Sequence, residues 1–339
     1  MTGSDPSTDE LAMVRGRSDS TAPCVDVLIA ARDRADTIER AVQSALAQPE
    51  VCTVIVVDDG SSDDTAMRAG QCGGGERLII KRLSSNVGPS AARNIGMEIA
   101  RSPWLAILDG DDYFLPGRIR TLLSSSEGWD LIADGLLQVS EEDLDCELPR
   151  QAEFLESFAP RAISLTRFVR GNVARRGRLR QELGFVKPLI RRSFLLKHAL
   201  RYDETLRLGE DYALYARALV AGGRFLLIPA AGYVSLVRAN SLSGRHSKQD
   251  LERLRDSDLE LMSMGTLTAR ERRAVAAHYS SVDCRVQWLT VIEAFKSRRV
   301  FDFLRPFVRS PTIALYITAR LLEEFWGRSL RVIAGHALD

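Results

Sequence analysis

Short apolar runs alternate with segments of helical spacing through the first third of the chain. The apolar runs are rich in β-branched residues, which is typical of buried strands. Strands that alternate with helices favour a parallel sheet covered by helices on both faces. The runs lie in segments 24–31, 52–64, 77–83 and 104–112, and the helical segments are 37–48, 90–100 and one that begins near 62–65. The sequence therefore predicts an α/β fold on a doubly wound, mostly parallel sheet.

Acidic residues follow three of the four predicted strands. They are Asp33 after the first, Asp58 and Asp59 after the second, and Asp109, Asp111 and Asp112 after the fourth. Open α/β sheets bind ligands at the carboxyl ends of their strands, so these acids are expected to share one crevice. Like charges this close raise one another's pKa unless a divalent cation, an arginine or open solvent offsets them. The sequence leaves these three partners open.

The turn after the first strand excludes two common nucleotide sites. It reads AARDRADT, without the glycines of a GxGxxG dinucleotide motif, and the chain contains no GxxxxGK[ST] phosphate loop. A nucleotidyltransferase would need a glycine-rich phosphate loop early in the chain, and none is present. Carboxylates that chelate Mg²⁺ or Mn²⁺ against a diphosphate remain as a way to hold phosphate here.

Charge is distributed unevenly along the chain. The formal net charge of +1 argues against nucleic acid as a partner, yet residues 161–201 hold twelve Lys and Arg and a single acid. This basic stretch could face a diphosphate-linked lipid or an anionic bilayer surface, and ordinary solvated helix faces are the alternative. No segment is apolar enough to span a bilayer.

Both ends of the chain and its cysteines set the expected location. Residues 1–22 lack the apolar core of a signal peptide and are predicted to be a disordered lead. The five cysteines show no CxxC spacing, which favours reduced, mostly buried thiols in a cytoplasmic protein over disulfides or a zinc site.

From 248 onward the pattern is helical. Aromatics interleaved with arginines near the end fit either a packed appendage or an interfacial segment on the inner face of the cytoplasmic membrane.

Four segments, in order, resemble the donor-binding and catalytic segments of family 2 glycosyltransferases. They read VDVLIAARDRADTIERAVQSALAQ, VIVVDDGSSDDT, NVGPSAARNIGMEIARSPWLAILDGDDYFLP and LRLGEDYALYARAL. The resemblance covers about residues 24–245, and bacterial exopolysaccharide glucosyltransferases of the succinoglycan type are similar. It implies a GT-A nucleotide-diphospho-sugar transferase fold at 23–247, with a donor half at 23–120 and an acceptor half at 121–247. A helical extension follows at 248–339.

The resemblance assigns the sugar-nucleotide donor to the strand ends. The implied donor residues are Ala30, Arg32, Asp33, Asp58, Asp59, Arg93, Asp109 and Gly110. Asp59 would accept a hydrogen bond from the uracil imide, and a turn or helix cap is the alternative for Asp58 and Asp59. Arg32 stands where the family commonly has an aromatic residue, and its planar guanidinium can also stack on a base. For Arg93 the alternative is a solvated helix arginine.

The resemblance also implies a metal site and a catalytic pair. Asp109 and Asp111 form the DxD-like pair, with Asp111 the direct ligand of Mg²⁺ or Mn²⁺, while Asp112 is expected to cap the segment after it. Asp211 is the implied base and Glu210 a supporting acid, and helix N-terminal placement is the alternative for both. Weaker candidates near the donor phosphates are Arg238, Ser241, Ser243 and His246, the last as a metal or phosphate contact.

These residues together predict an inverting, metal-dependent glycosyltransferase. The expected donor is a nucleotide sugar, most simply UDP-glucose, and the expected acceptor is a lipid-linked oligosaccharide in exopolysaccharide or surface polysaccharide synthesis. The alternative is a non-catalytic nucleotide-sugar-binding or scaffold protein of the same fold. The retained acids at 59, 109, 111 and 211 favour catalysis.

Overall fold

A computed structural model describes residues 24–140, 158–173, 183–237, 246–264 and 267–335. The predicted lead at 1–22 and the candidates Arg238, Ser241 and Ser243 lie outside the described residues. Within the ranges given, no helix is long and apolar enough to cross a membrane.

A mixed nine-stranded sheet forms the centre of the fold. The strands are β1 (Val25–Ala31), β2 (Val51–Asp58), β3 (Leu78–Arg82), β4 (Trp104–Asp109), β5 (Tyr113–Phe114), β6 (Leu131–Ser140), β7 (Arg161–Ala162), β8 (Leu189–Arg191) and β9 (Phe225–Val237). Their order is β3-β2-β1-β4-β8-β6-β9-β5, with β7 paired to β9. The first four strands are parallel, as predicted, and β8 joins β4 and β6 in the antiparallel sense.

Helices cover both faces of the sheet and continue to the end of the described chain. They are α1 (Ile38–Leu46), α2 (Thr65–Gln71), α3 (Pro89–Ile99), α4 (Arg118–Ser124), α5 (Leu165–Gly171), α6 (Arg192–Lys197), α7 (Glu210–Val220), α8 (Lys248–Ser263), α9 (Ala269–Lys296), α10 (Val300–Arg309) and α11 (Pro311–Gly335). Along β1, Leu28 packs into one hydrophobic cluster while Val27 and Ile29 pack into the other. A strand buried on both faces is typical of a doubly wound sheet, so the predicted fold class is confirmed.

The first two C-terminal helices share the core of the sheet domain. Leu251 and Leu254 of α8 and Val275 and Val282 of α9 belong to the same buried cluster as Tyr215 of α7. Both helices begin with reciprocal capping boxes, which define their starts. The predicted helical character from 248 onward is therefore confirmed, and α8 and α9 rest directly on the helix that carries the predicted base.

Cysteine pairing differs from the prediction. Cys24 and Cys52 form a disulfide, with Cα atoms 5.7 Å apart. The expectation of unpaired thiols is wrong for this pair, because the parallel register that sets Val25 beside Val51 also brings these two cysteines together. Cys72 and Cys284 are free thiols, as predicted. The fifth cysteine, at 146, lies outside the described residues.

Candidate functional site

The carboxyl ends of β1, β2 and β4 meet at one edge of the sheet. In the register of β1, Ala30 lies opposite Asp109 of β4 and Ala31 lies opposite Asp58 of β2. The predicted donor residues at the ends of these strands therefore share one edge. Helix α7 brings Glu210 and Asp211 to the same place, because both acids share the cations that contact Asp109.

Two buried cations hold Asp109. Arg93 of α3 donates to Asp109 Oδ1 at 2.8 Å, and the Lys187 Nζ lies 2.8 Å from Asp109 Oδ2. Burial works to raise the pKa of Asp109, but the charges and hydrogen bonds of Lys187 and Arg93 outweigh it and hold that pKa well below its usual range. Asp109 is therefore ionised at neutral pH.

The same two cations hold the predicted catalytic pair. Lys187 Nζ donates to Asp211 Oδ2 at 2.6 Å, and Arg93 Nη1 donates to Glu210 Oε1 at 2.8 Å. The Tyr202 hydroxyl adds a hydrogen bond to Asp211 Oδ1 at 3.0 Å. Asp211 is nearly buried at the start of α7, so its carboxylate is directed into this cluster of charges. Asp211 thus lies in the first turn of α7, and its catalytic role remains a prediction.

Asp111 and Asp112 occupy different surroundings. Asp111 is partly exposed, and its Oδ2 lies 3.4 Å from Arg34 Nε. Asp112 is buried and accepts hydrogen bonds from the Tyr233 hydroxyl at 2.8 Å and the Leu236 amide at 3.0 Å. Burial, helped by the neighbouring acids, raises the pKa of Asp112 to about 7. The expectation that Asp112 caps the segment after it is wrong, because its side chain fastens that segment to β9.

The acids after β1 and β2 organise the loops around the crevice. Asp58 accepts from the Ser61 amide at 3.1 Å and also from its hydroxyl, which is the predicted turn. Asp59 accepts from the amides of residues 87 and 88 at 2.6 and 2.9 Å, just before α3. Asp33 accepts from the Ser62 amide and hydroxyl, and these bonds lower the pKa of Asp33. Each of these acids thus shapes the edge where it was predicted, and their contacts to a donor remain predictions.

A cavity of about 370 Å³ opens beside these loops. Its lining residues are Gly60, Ser61, Arg82, Leu83 and Ser84. Gly60 has a φ of 65°, and a Cβ there would lie 2.7 Å from the Ser85 carbonyl carbon, so the turn requires glycine. Arg82 lies 3.4 Å from Asp58 Oδ2. The end of β3 therefore lines a cavity next to the strand ends that are predicted to bind the donor.

The remaining predicted donor residues lie around the same edge. Ala30 is partly buried against the core, and the side chain of Arg32 is half exposed, with Nε 3.5 Å from Asp33 Oδ2. The Gly110 carbonyl accepts a hydrogen bond from Thr37 Oγ1 at 2.8 Å, which ties the DxD turn to the start of α1. Arg32 is therefore at the surface, where its guanidinium can face a ligand.

The arrangement of metal-ligating side chains near the crevice limits the number of protein ligands that a metal ion could have there. In the part of the chain that the structure describes, no three His, Cys, Asp or Glu side chains group to hold a metal ion, and His246 joins no such group. Mg²⁺ in nucleotide sites is commonly held by one or two carboxylates plus substrate phosphates, so a three-ligand cage is not required. Asp111, a hard oxygen donor partly open to solvent, fits that manner of binding.

Sequence reasoning missed three residues of this cluster. Lys187 fell within the basic stretch assigned to an acceptor or a membrane, Tyr202 was not singled out, and neither was Arg34. The local sequence FVKPLI does carry a signal for Lys187. A single cation flanked by apolar residues is expected to be buried only with acidic partners, and the strand-end acids were the available ones.

Comparisons with known proteins identify the family of the chain. The family model described as Glycosyl transferase family 2 matches residues 26–167. The succinoglycan biosynthesis protein ExoU of Rhizobium meliloti is 48% identical over 75% of this chain and 74% of its own length. ExoO of the same organism is 40% identical over 65% of this chain and 63% of its own. An Escherichia coli relative, "UDP-Glc:alpha-D-GlcNAc-diphosphoundecaprenol beta-1,3-glucosyltransferase WfaP", is 35% identical over 28% of this chain and 38% of its own.

Solved structures share the fold at low sequence identity. S. aureus TarS (residues 1–349) in complex with UDP-GlcNAc aligns with a TM-score of 0.61 and 16% identity, over 83% of this chain and 89% of that one. A mannosyltransferase from Pyrobaculum calidifontis, in complex with GDP-Man and Mn²⁺, aligns with a TM-score of 0.55 and 13% identity, over 91% and 88%. Both similarities concern the fold.

Proposed function

Since the chain belongs to glycosyl transferase family 2, we propose that it transfers glucose from UDP-glucose, with inversion and with a divalent metal, to a lipid-linked oligosaccharide. The protein is a glycosyltransferase of GT-A fold similar to exopolysaccharide enzymes, and the proposal adds its donor, metal and acceptor. We place the reaction on the inner face of the cytoplasmic membrane, where the resemblance to exopolysaccharide enzymes implies that a lipid-linked acceptor is available.

One observation carries the catalytic part of the proposal. Lys187 bridges Asp109, on the donor side, and Asp211, the candidate base, at 2.8 and 2.6 Å. The acid on the donor side and the candidate base, which the reaction needs close together, therefore contact the same ammonium group. That cation and the Tyr202 hydroxyl both contact the Asp211 carboxylate, which we assign as the group that accepts the proton.

The proposed transfer forms one bond, breaks another and moves one proton. The acceptor hydroxyl oxygen forms a bond to the anomeric carbon, the bond from that carbon to the UDP oxygen breaks, and Asp211 takes the hydroxyl proton. Attack from the face opposite UDP inverts the anomeric configuration. Arg93 keeps Glu210 and Asp109 in place, with 2.8 Å contacts to both.

The donor side follows from the strand ends. Asp111, with Asp109 beside it, would hold Mg²⁺ or Mn²⁺, which stabilises the charge that develops on the leaving diphosphate. We assign uracil recognition to Asp59 and stacking to Arg32. The choice of UDP-glucose and of a lipid-linked acceptor is supported by the activity for which the WfaP relative is named, which uses UDP-Glc and a diphosphoundecaprenol-linked sugar.

The test is release of the nucleoside diphosphate from UDP, GDP and dTDP sugars, with Mn²⁺, Mg²⁺ or EDTA, in the presence of a lipid-linked oligosaccharide extract. We expect metal-dependent release from UDP-glucose that is lost in Asp211→Asn and Asp111→Ala. Asp256→Asn is the matched control, because Asp256 is an exposed acid on α8 paired with Arg255.

Calorimetry on the same samples separates the alternatives. UDP-glucose binding without turnover by the wild type would favour the scaffold alternative. No binding of any nucleotide sugar with metal present would contradict the proposed donor. Full activity of Asp211→Asn would remove Asp211 from the role of base.

A further inference from the structure

Helix α10 has apolar side chains on two of its faces. Phe303 and Phe307 pack inward against a small cluster that includes Ile313 and Ile317 of α11. Four others point to solvent and are largely exposed: Val300 (65%), Phe301 (90%), Leu304 (52%) and Val308 (85%). At about 100° per residue these four positions fall within one stripe roughly 100° wide. The helix therefore presents a complete second apolar face that no described part of the chain covers.

The end of α9 extends this surface. Phe295 is exposed, and its ring lies 6.5 Å from that of Phe303, centroid to centroid, at the junction with α10. We call Phe295, Val300, Phe301, Leu304 and Val308 the α10 face. Single exposed apolar residues are common on soluble proteins, but an exposed stripe of one phenylalanine and three aliphatic residues, with Phe295 at the junction of α9 and α10, marks an interaction site.

Cations surround the α10 face. Residues 295–309 contain five exposed cations and one acid, Asp302; the cations are Lys296, Arg298, Arg299, Arg305 and Arg309. Arg299 pairs with Asp302 at 3.2 Å, and Arg309 lies 3.8 Å from Asp283. The segment keeps a positive excess after these pairs. An apolar stripe bordered by Arg and Lys is the pattern of a helix that lies in the interface of an anionic bilayer.

We propose that the α10 face docks on an anionic phospholipid surface, with Phe301 and Val308 entering the headgroup layer and the flanking arginines contacting lipid phosphates. A second copy of the chain is the less suitable occupant. A two-fold contact would set the same five cations opposite themselves, and that juxtaposition opposes association. The inference deepens the proposed function, which it assumes for its biological use, but the contact itself requires neither donor nor acceptor.

The test is co-sedimentation of the full chain with vesicles of phosphatidylcholine alone or mixed with phosphatidylglycerol. We expect partitioning onto the anionic vesicles that weakens with added salt and falls about ten-fold in Phe301→Ser/Val308→Ser, since bound apolar area sets much of the affinity. Both side chains are solvent-exposed, so the fold should tolerate the double change. Leu196→Ser is the matched control, because Leu196 is exposed on α6, outside the α10 face.

Three results would overturn the proposal. They are no sedimentation of the wild type with anionic vesicles, equal sedimentation of the double variant, or equal loss in Leu196→Ser. Light scattering after gel filtration tests for the other occupant. If the wild type is a dimer, the double variant is a monomer and neither binds vesicles, the face belongs to a second copy of the chain. UDP release measured without vesicles reports on the proposed function separately.

Discussion

At the scale of single residues, one ammonium group balances two acids on which the proposed chemistry depends. Lys187 is buried, and its contacts to Asp109 and Asp211 are both shorter than 3 Å. Burial works to lower the pKa of Lys187, but these carboxylates outweigh it and raise that pKa above its usual value. Lys187 therefore stays charged between the two carboxylates.

Replacing Lys187 tests this balance. We expect Lys187→Met to lower kcat for UDP release at least about 100-fold and to reduce the free energy of unfolding by about 3 kcal/mol, because two buried carboxylates lose their shared partner. Steady-state kinetics and urea unfolding measure the two effects. Lys197→Met is the control, since Lys197 is exposed on α6. Activity of Lys187→Met within two-fold of wild type would contradict the role assigned to it.

Tyr202 offers a smaller perturbation of the same carboxylate. Its hydroxyl donates to Asp211 at 3.0 Å, and its ring lies beside Arg93 at 5.3 Å. Tyr202→Phe keeps the ring and removes one hydrogen bond, which is worth about 1 kcal/mol or somewhat more when the acceptor is charged. We expect a loss of about five- to ten-fold in kcat with KM for the donor unchanged. An effect confined to KM would instead assign Tyr202 to donor binding.

At the scale of elements, a set of buried polar contacts ties α7, the helix that carries the candidate base, to the C-terminal helices. The Tyr212 hydroxyl of α7 donates to Asp258 Oδ1 of α8 at 2.9 Å, and His278 Nδ1 of α9 lies 2.7 Å from Asp258 Oδ2. The rings of Tyr212 and His278 also stack, with centroids 4.3 Å apart. Tyr212 follows Asp211 directly in the sequence, so these buried contacts fix the position of the candidate base.

Asp258 is the residue through which that connection can be broken. We expect Asp258→Leu to lower the free energy of unfolding by about 2–4 kcal/mol, because the Tyr212 hydroxyl and the His278 ring lose their buried partner. We also expect kcat to fall in the folded fraction, measured below the unfolding transition. Asp256→Leu is the matched control on the exposed side of α8. Wild-type kcat in Asp258→Leu would show that α7 does not depend on this contact.

The start of α8 gives a pH-dependent prediction. Burial works to raise the pKa of Asp250, but hydrogen bonds from the Ser247 hydroxyl and amide outweigh it and lower that pKa. A lowered folded-state pKa stabilises the protein above the unfolded-state pKa near 4, and this contribution disappears as the pH falls. Asp250→Ala should therefore cost about 1 kcal/mol at pH 7 and less near pH 3, measured by urea unfolding. An equal cost at both pH values would contradict the capping box.

Local pattern predicted the elements of the donor half closely. Segment 24–31 became β1 at Val25–Ala31, and segment 90–100 became α3 at Pro89–Ile99. Strand and helix periodicity act over a few residues and can be seen in the sequence. The antiparallel insertion of β8 between β4 and β6 could not be predicted, because its three residues carry no period and its partners are distant in the chain. That insertion is also what carries Lys187 to the crevice.

At the scale of the whole molecule, the acidic crevice is balanced by the chain's own cations. Arg34, Arg93 and Lys187 contact acids of the DxD segment and of α7. The sequence had left a divalent cation, an arginine or solvent as partners, and the family resemblance then favoured the divalent cation. The structure shows arginines and a lysine at these acids. Long-range pairs of this kind depend on the fold, so residue spacing alone could not choose among them.

Metal removal should therefore separate activity from folding. With EDTA we expect UDP release to be lost and the thermal midpoint, measured without nucleotide, to stay within about 2 °C of its value with Mn²⁺, because the fold does not need the ion for charge balance. Added Mn²⁺ should restore release. A large drop in the midpoint with EDTA would show that the metal is structural, and unchanged release would remove metal from the reaction.

The common core of the sheet domain and the first C-terminal helices limits how this enzyme can be recombined. Gly209, the residue before α7, has a φ of 73°, and a Cβ there would lie 2.7 Å from Leu254 Cδ1. Helix α8 thus touches the start of α7. A chimera with a relative that is joined at residue 247 would pair a foreign α8 with this helix, so specificity-swapping libraries should exchange α7, α8 and α9 as one cassette.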